Sequence, residues 1–176
     1  IINYHLGKKY IPKKSNHPLT LVFAVGGAGA QSDIGEAIIK SLRQRILGGD
    51  LRLHLIAGAR KEVKDFFEEQ IKINTLEEAV GKGIHILYEK TKQQYFETFN
   101  KLLRKADILW TKPSELSFYT GLGIPIIMAP SVGSQEDFNR IWLKTVGGGI
   151  SQDDPRYADE WLFDWIESGW LARAAL

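Results

Sequence analysis

Apolar runs and helical rhythms alternate along this chain. Leu19–Val25 is an apolar run that stops at Gly26-Gly27. A strand apolar on both sides belongs in the middle of a sheet covered on both faces. From Ser32 to Leu47 apolar residues recur at Ile34, Ala37, Ile38, Leu42 and Ile46, a helical spacing, and Gly48-Gly49 ends it. Leu51–Ala57 reads as the next strand, closed by Gly58, and Lys61–Ile71 as an amphipathic helix carrying Val63, Phe66, Phe67 and Ile71. A third strand is predicted at Ile84–Tyr88 and a helix at Thr91–Lys105, with Tyr95, Phe96, Phe99, Leu102 and Leu103 on its apolar side. Then come a strand at Asp107–Trp110, a small helix near Glu115, a strand at Ile126–Ala129 and a helix at Gln135–Val146. Gly147–Ile150 predicts a short sixth strand, and Pro155–Glu167 a last helix.

Repeated strand-helix alternation predicts an α/β fold: a parallel sheet of about six strands with helices on both faces. Within it, the stretch Thr111–Asn139 holds two polar loops, each at the carboxyl end of a strand and just before a helix. In an open parallel sheet, such ends form the crevice where ligands bind. The 176 residues, 44% hydrophobic and 25% charged, suit one domain with a real core. We expect residues 19–176 to be that domain. The basic, proline-bearing stretch 1–18 reads as a linker from a preceding domain, and the start at Ile1 fits one domain of a longer protein; a processed N-terminus is equally compatible with the composition.

Charge and composition narrow the function. A net charge of +2 gives no bulk electrostatic case for nucleic acid. With no cysteine there is neither a disulfide framework nor a zinc-thiolate site, and the four histidines have no ligand spacing, so no metal site is expected. No apolar run reaches the roughly 18 residues of a membrane-spanning helix. Arg52 and His54 alternate with Leu51, Leu53 and Leu55 and read as ordinary strand residues. The C-terminal aromatics Trp161, Phe163, Trp165 and Trp170 sit among Asp159, Glu160, Asp164 and Glu167. Those acids disfavour an anionic lipid surface, so we expect the aromatics to pack against protein.

Three segments carry candidate chemistry. The first βα turn, Gly26-Gly27-Ala28-Gly29, leaves the backbone open to close approach, as a diphosphate at a helix N-terminus requires. A tight turn against a neighbouring element would use the same glycines. The third glycine of a dinucleotide fingerprint is absent at its offset, and no acidic residue closes the second strand. Arg60 stands there instead, a candidate phosphate ligand or simply an exposed residue at a helix start. Gln135 and Asn139 lie four apart and share a helix face with Glu136 beside them. Amides and a carboxylate can orient sugar hydroxyls; a solvated helix start capped by Ser131 or Ser134 is the alternative.

From Leu19 to about Ile150, three-quarters of the chain, the sequence resembles the C-terminal, donor-binding half of GT-B glycosyltransferases. It is similar to the monogalactosyldiacylglycerol synthases and to the N-acetylglucosaminyltransferases that build the peptidoglycan lipid intermediate. The resemblance rests on Gly26-Gly27 after the first strand, on Ala106-Asp107 leading to Thr111-Lys112, and on Gly123-Ile124-Pro125-Ile126-Ile127. It rests further on Gln135-Glu136 with Asn139. It implies a Rossmann-like domain, one half of a GT-B fold, binding a nucleotide-sugar donor, of which a UDP-sugar is the expected one, with no other cofactor. The turn Gly26, Gly27, Ala28 and Gly29 would face the diphosphate, and Gln135 with Glu136, beside Val132 and Gly133, the sugar. Thr111, Lys112, Ser114 and Glu115 would meet the nucleoside, and Asn139 would face the site or brace its loop from behind.

The families place a glutamate for the ribose seven residues before the proline, where this chain has Phe118; Glu115 stands about one helical turn earlier. No side chain reads as a catalytic base. The resemblance therefore places the acceptor and base on a separate N-terminal domain, in a cytoplasmic protein that is peripheral at the membrane. A nucleotide-sugar epimerase half and a degenerate, non-catalytic Rossmann-like binding domain are the alternatives.

Overall fold

The computed structural model describes residues 17–24, 32–114 and 116–175. Six strands form one sheet: β1 (Leu19–Ala24), β2 (Leu51–Gly58), β3 (Ile84–Tyr88), β4 (Ile108–Thr111), β5 (Ile126–Met128) and β6 (Gly149–Ser151). Their order is β3-β2-β1-β4-β5-β6 and every neighbouring pair is parallel. The helices are α1 (Ser32–Ser41), α2 (Arg43–Gly48), α3 (Lys61–Ile73), α4 (Lys92–Leu103), α5 (Leu116–Gly121), α6 (Ser134–Thr145) and α7 (Ala158–Glu167). This is the expected α/β Rossmann-like sheet.

Alternation along the strands divides the core in two. Leu21 and Phe23 of β1, Leu51, Leu53 and Leu55 of β2, and Ile108 and Trp110 of β4 pack with α1, α3 and α7. Val22, Leu109, Ile126 and Met128 face the other way, onto Phe99, Leu102 and Leu103 of α4, Leu116 of α5 and Leu143 of α6. The C-terminal aromatics do pack against protein. Trp161 lies edge-on to Trp110 at 5.2 Å, and the Arg45 guanidinium sits 4.0 Å over the Phe163 ring.

Local departures from the expected boundaries have local causes. The helix expected over Ser32–Leu47 is two, broken at Leu42, and the second is closed by Gly49 in the left-handed region (φ 80°). β4 begins at Ile108, because the Asp107 carboxylate instead accepts the Thr20 N–H at 2.7 Å. The final helix opens as a 3-10 turn, Pro155–Tyr157, capped by Asp154.

Candidate functional site

The strand order reverses direction between β1 and β4. From β1 the chain builds outward through β2 to β3, and then returns to place β4 on the other side of β1. In an open parallel sheet, such a reversal is the point at which ligands bind, in a crevice outside the carboxyl ends of the strands. Thr111, the last residue of β4, pairs in register with Ala24, the last of β1. Its buried hydroxyl donates to the Ala24 carbonyl at 2.8 Å. The Thr111 carbonyl accepts from Ala129 N–H at 2.9 Å, which ties in the end of β5. One threonine thus fixes the rim of the crevice across three strands.

The second wall is the start of α6. Gly133 is its N-cap, in extended conformation, and the Glu136 carboxylate accepts the Val132 N–H at 2.7 Å. Glu136 thereby turns the loop back onto the helix, a variant of the capping box. Asn139, one turn further on, donates its side-chain amide to the carbonyls of Pro113 and Ser114 at 3.0 and 3.1 Å. That pair of bonds clasps the β4–α5 loop to α6. Two acids, Glu136 and Asp137, occupy the first turn of α6 and offset the positive end of its dipole. This wall suits neutral hydroxyls better than a phosphate.

The structure brings Thr111, Lys112, Ser114, Val132, Gly133, Gln135, Glu136 and Asn139 together on these two adjacent loops. Gln135 is exposed at the rim, whereas Asn139 spends its amide on the neighbouring loop. Arg60 caps α3 at the carboxyl end of β2, on the same edge of the sheet but about 10 Å from β4, two strand spacings away. Gly26, Gly27, Ala28, Gly29 and Glu115 lie outside the described residues. The Phe118 ring is exposed and packs edge-on to Tyr119. Neither Ser131 nor Ser134 caps α6; Gly133 does. Ser131 contributes something the sequence did not announce: its hydroxyl oxygen is enclosed, just beyond β5, with no hydrogen-bond partner among the described residues. A serine between a proline and a valine gives no pattern from which to foresee that. Among the described residues no group of three or more His, Asp or Glu could hold a metal ion, and no helix is long and apolar enough to cross a membrane.

A family model described as "Domain of unknown function (DUF6938)" matches residues 7–158, and the chain belongs to that family. No curated protein matches it. Among the matching solved structures is one from Listeria monocytogenes, described as a "putative UDP-N-acetylglucosamine 2-epimerase". It superposes with a TM-score of 0.65 at 12% identity, over 91% of this chain and 40% of that one. The likeness is one of fold, a GT-B-like Rossmann domain, and this chain spans two-fifths of that neighbour's length.

Proposed function

We propose that this member of the family binds a nucleotide-sugar, a UDP-sugar first of all, as the donor domain of a GT-B glycosyltransferase. The observation that carries the reading is the joined pair of loops at the carboxyl ends of β4 and β5, fixed by Thr111 and Asn139 beside the end of β1. In this reading Gln135 and Glu136 face the sugar. The turn Gly26–Gly29 takes the diphosphate, Lys112 meets the nucleoside with Thr111 and Ser114, and Asn139 positions the loop without touching the ligand. The acceptor and the general base belong to a separate domain that precedes residues 19–176, so this chain binds and does not turn over. Donor-side catalysis is then stabilisation of the departing diphosphate by fixed N–H groups and cations.

A second reading has one observation in its favour: the structural neighbour is described as an epimerase acting on UDP-N-acetylglucosamine. In it the same crevice belongs to half of a nucleotide-sugar epimerase. Both readings are tested first by calorimetric titration with UDP, and with UMP, GDP and NAD as controls. UDP is expected to bind well above UMP, with binding lost in Gly27→Val and weakened in Gln135→Ala. No binding of any of the four, by this chain or by the full-length protein, overturns the nucleotide-sugar reading. Transfer of sugar to an added acceptor, as against inversion at a sugar carbon, then separates transferase from epimerase in the full-length protein.

A further inference from the structure

On the face of the sheet that carries Thr111, but toward the opposite edge, lies a groove of about 740 Å³. Its floor is made by β2 and β3, and one wall by α4. The helix packs Phe99, Leu102 and Leu103 against Val22, Ile56 and Leu87, which leaves Thr98 and Lys101, and Lys105 just past its end, along the groove. The volume falls in the range of small-molecule sites, about 300–1,000 Å³.

Four permanent cations line this groove, Arg52, Lys82, Lys101 and Lys105, against a single lining carboxylate, Glu89. Glu89 itself accepts a hydrogen bond from Thr98 at 2.9 Å. Among the described residues none of the four cations has a carboxylate within ion-pair distance. Arg45, Lys61, Lys64, Arg140 and Arg156 elsewhere on the molecule each do. On the floor, His54 and His85 stand opposite one another in register, their rings stacked at 4.5 Å and 7°. Burial lowers the pKa of His54 to about 4, and His85, Arg52 and Lys105 add to that in the same direction. A concave surface where like charges converge without counter-charge focuses a positive potential, which an anion relieves.

We propose that this groove is a second ligand site, separate from the crevice, which takes a small polyanion bearing two or more phosphate groups. A single phosphate is too small to meet cations spread round such a volume. Arg52 offers a fork matched to phosphate oxygens, and the three lysines act as mobile point charges. The stacked imidazole pair, with Leu87 on the floor and Leu102 on the wall, supplies a flat, partly apolar surface for the body of the ligand.

Inorganic tripolyphosphate is the first probe, with citrate and sulfate at matched ionic strength as comparisons, read by the NMR signals of the histidine rings and of the backbone amides. Tripolyphosphate is expected to shift His54 and His85 saturably, more tightly than citrate and far more tightly than sulfate. The double variant K101E/K105E, whose changed residues are exposed, is expected to weaken that binding at least tenfold while its thermal melt stays near wild type. R52Q provides a second variant, with a smaller loss. Equal affinity in K101E/K105E overturns the proposal, as does citrate binding as tightly as tripolyphosphate. Shifts confined to the β4–α5 and β5–α6 loops overturn it too, because they place the anion in the crevice. Since UDP is not the probe, failure here leaves the nucleotide-sugar reading standing, and the converse holds as well.

Discussion

The two faces of the sheet are built to different standards. On one, α1, α3 and α7 cover β1, β2 and β4 with a core in which Leu21, Leu51, Leu53, Leu55 and Trp110 are wholly buried. On the other, α6 buries Leu143 alone, while Phe138, Ile141 and Trp142 on the same helix and Val146 at its C-cap are exposed, Phe138 by 71%. Thr111, Asn139 and the groove over His54 and His85 belong to this second face. A sheet that must both hold together and present sites can divide the tasks by face, because alternate residues of each strand answer to different neighbours. The first face carries the stability and the second presents the candidate sites.

That division can be broken most forcefully from the first face. Leu53→Ala is expected to lower stability by about 3–5 kcal/mol, the cost of a leucine-sized cavity in a rigid core. Denaturant unfolding measures it, and a loss under about 1 kcal/mol would mean the first face is not the stabilising one.

His54 sharpens the comparison. Its pKa falls from the ordinary value of 6.5 to about 4 in the folded state, so unfolding takes up a proton between those two pH values. Its contribution is complete above about pH 6.5 and is lost as the pH falls from there toward 4. The whole shift corresponds to about 3 kcal/mol; screening of a ring that water still reaches leaves about 1–2. Stability followed from pH 7 to pH 4 should therefore fall less steeply in His54→Gln than in the wild type. Parallel curves would remove the histidine from the account of acid sensitivity.

The smallest effect is expected on α6. Phe138→Ser should change unfolding free energy by no more than about 0.5 kcal/mol, as for other exposed positions. It should also raise solubility. A loss of about 2 kcal/mol would show that this helix is covered in solution.

The architecture was legible in the sequence because each buried strand advertises itself. Leu19–Ala24 is too apolar for a strand with a wet face, Leu51–Ala57 alternates leucines with Arg52 and His54, and the helices between the strands repeat at the right spacing. The loop motif was legible as well, including the idea that Asn139 could brace its loop rather than face the site. Its actual partners, the carbonyls of Pro113 and Ser114, were not, since backbone carbonyls leave no mark in a sequence.

The groove was hidden for a different reason. The alternation of Arg52 and His54 with leucines shows that they share a face, but not whether a helix covers that face. That depends on where α4 lies, and its position follows from the packing of Phe99 and Leu102. The glycines at 148 and 149 were equally opaque. They read as the start of a strand, yet a Cβ at Gly149 would stand 2.6 Å from both the Ile126 carbonyl oxygen and the Leu143 side chain. Close packing, rather than turn geometry, requires glycine there.

The clasp made by Asn139 has a consequence for the thermodynamics of any ligand in the crevice. Because one amide holds two consecutive carbonyls of the β4–α5 loop, the entropy lost in ordering residues 112–114 is absorbed when the chain folds. A guest then meets a rim already set, and its affinity reflects the contacts it makes rather than the freedom it removes. Binding to such a rim should alter backbone order little, whereas in Asn139→Ala the same contacts should form with a larger entropic penalty and a slower approach to the bound state.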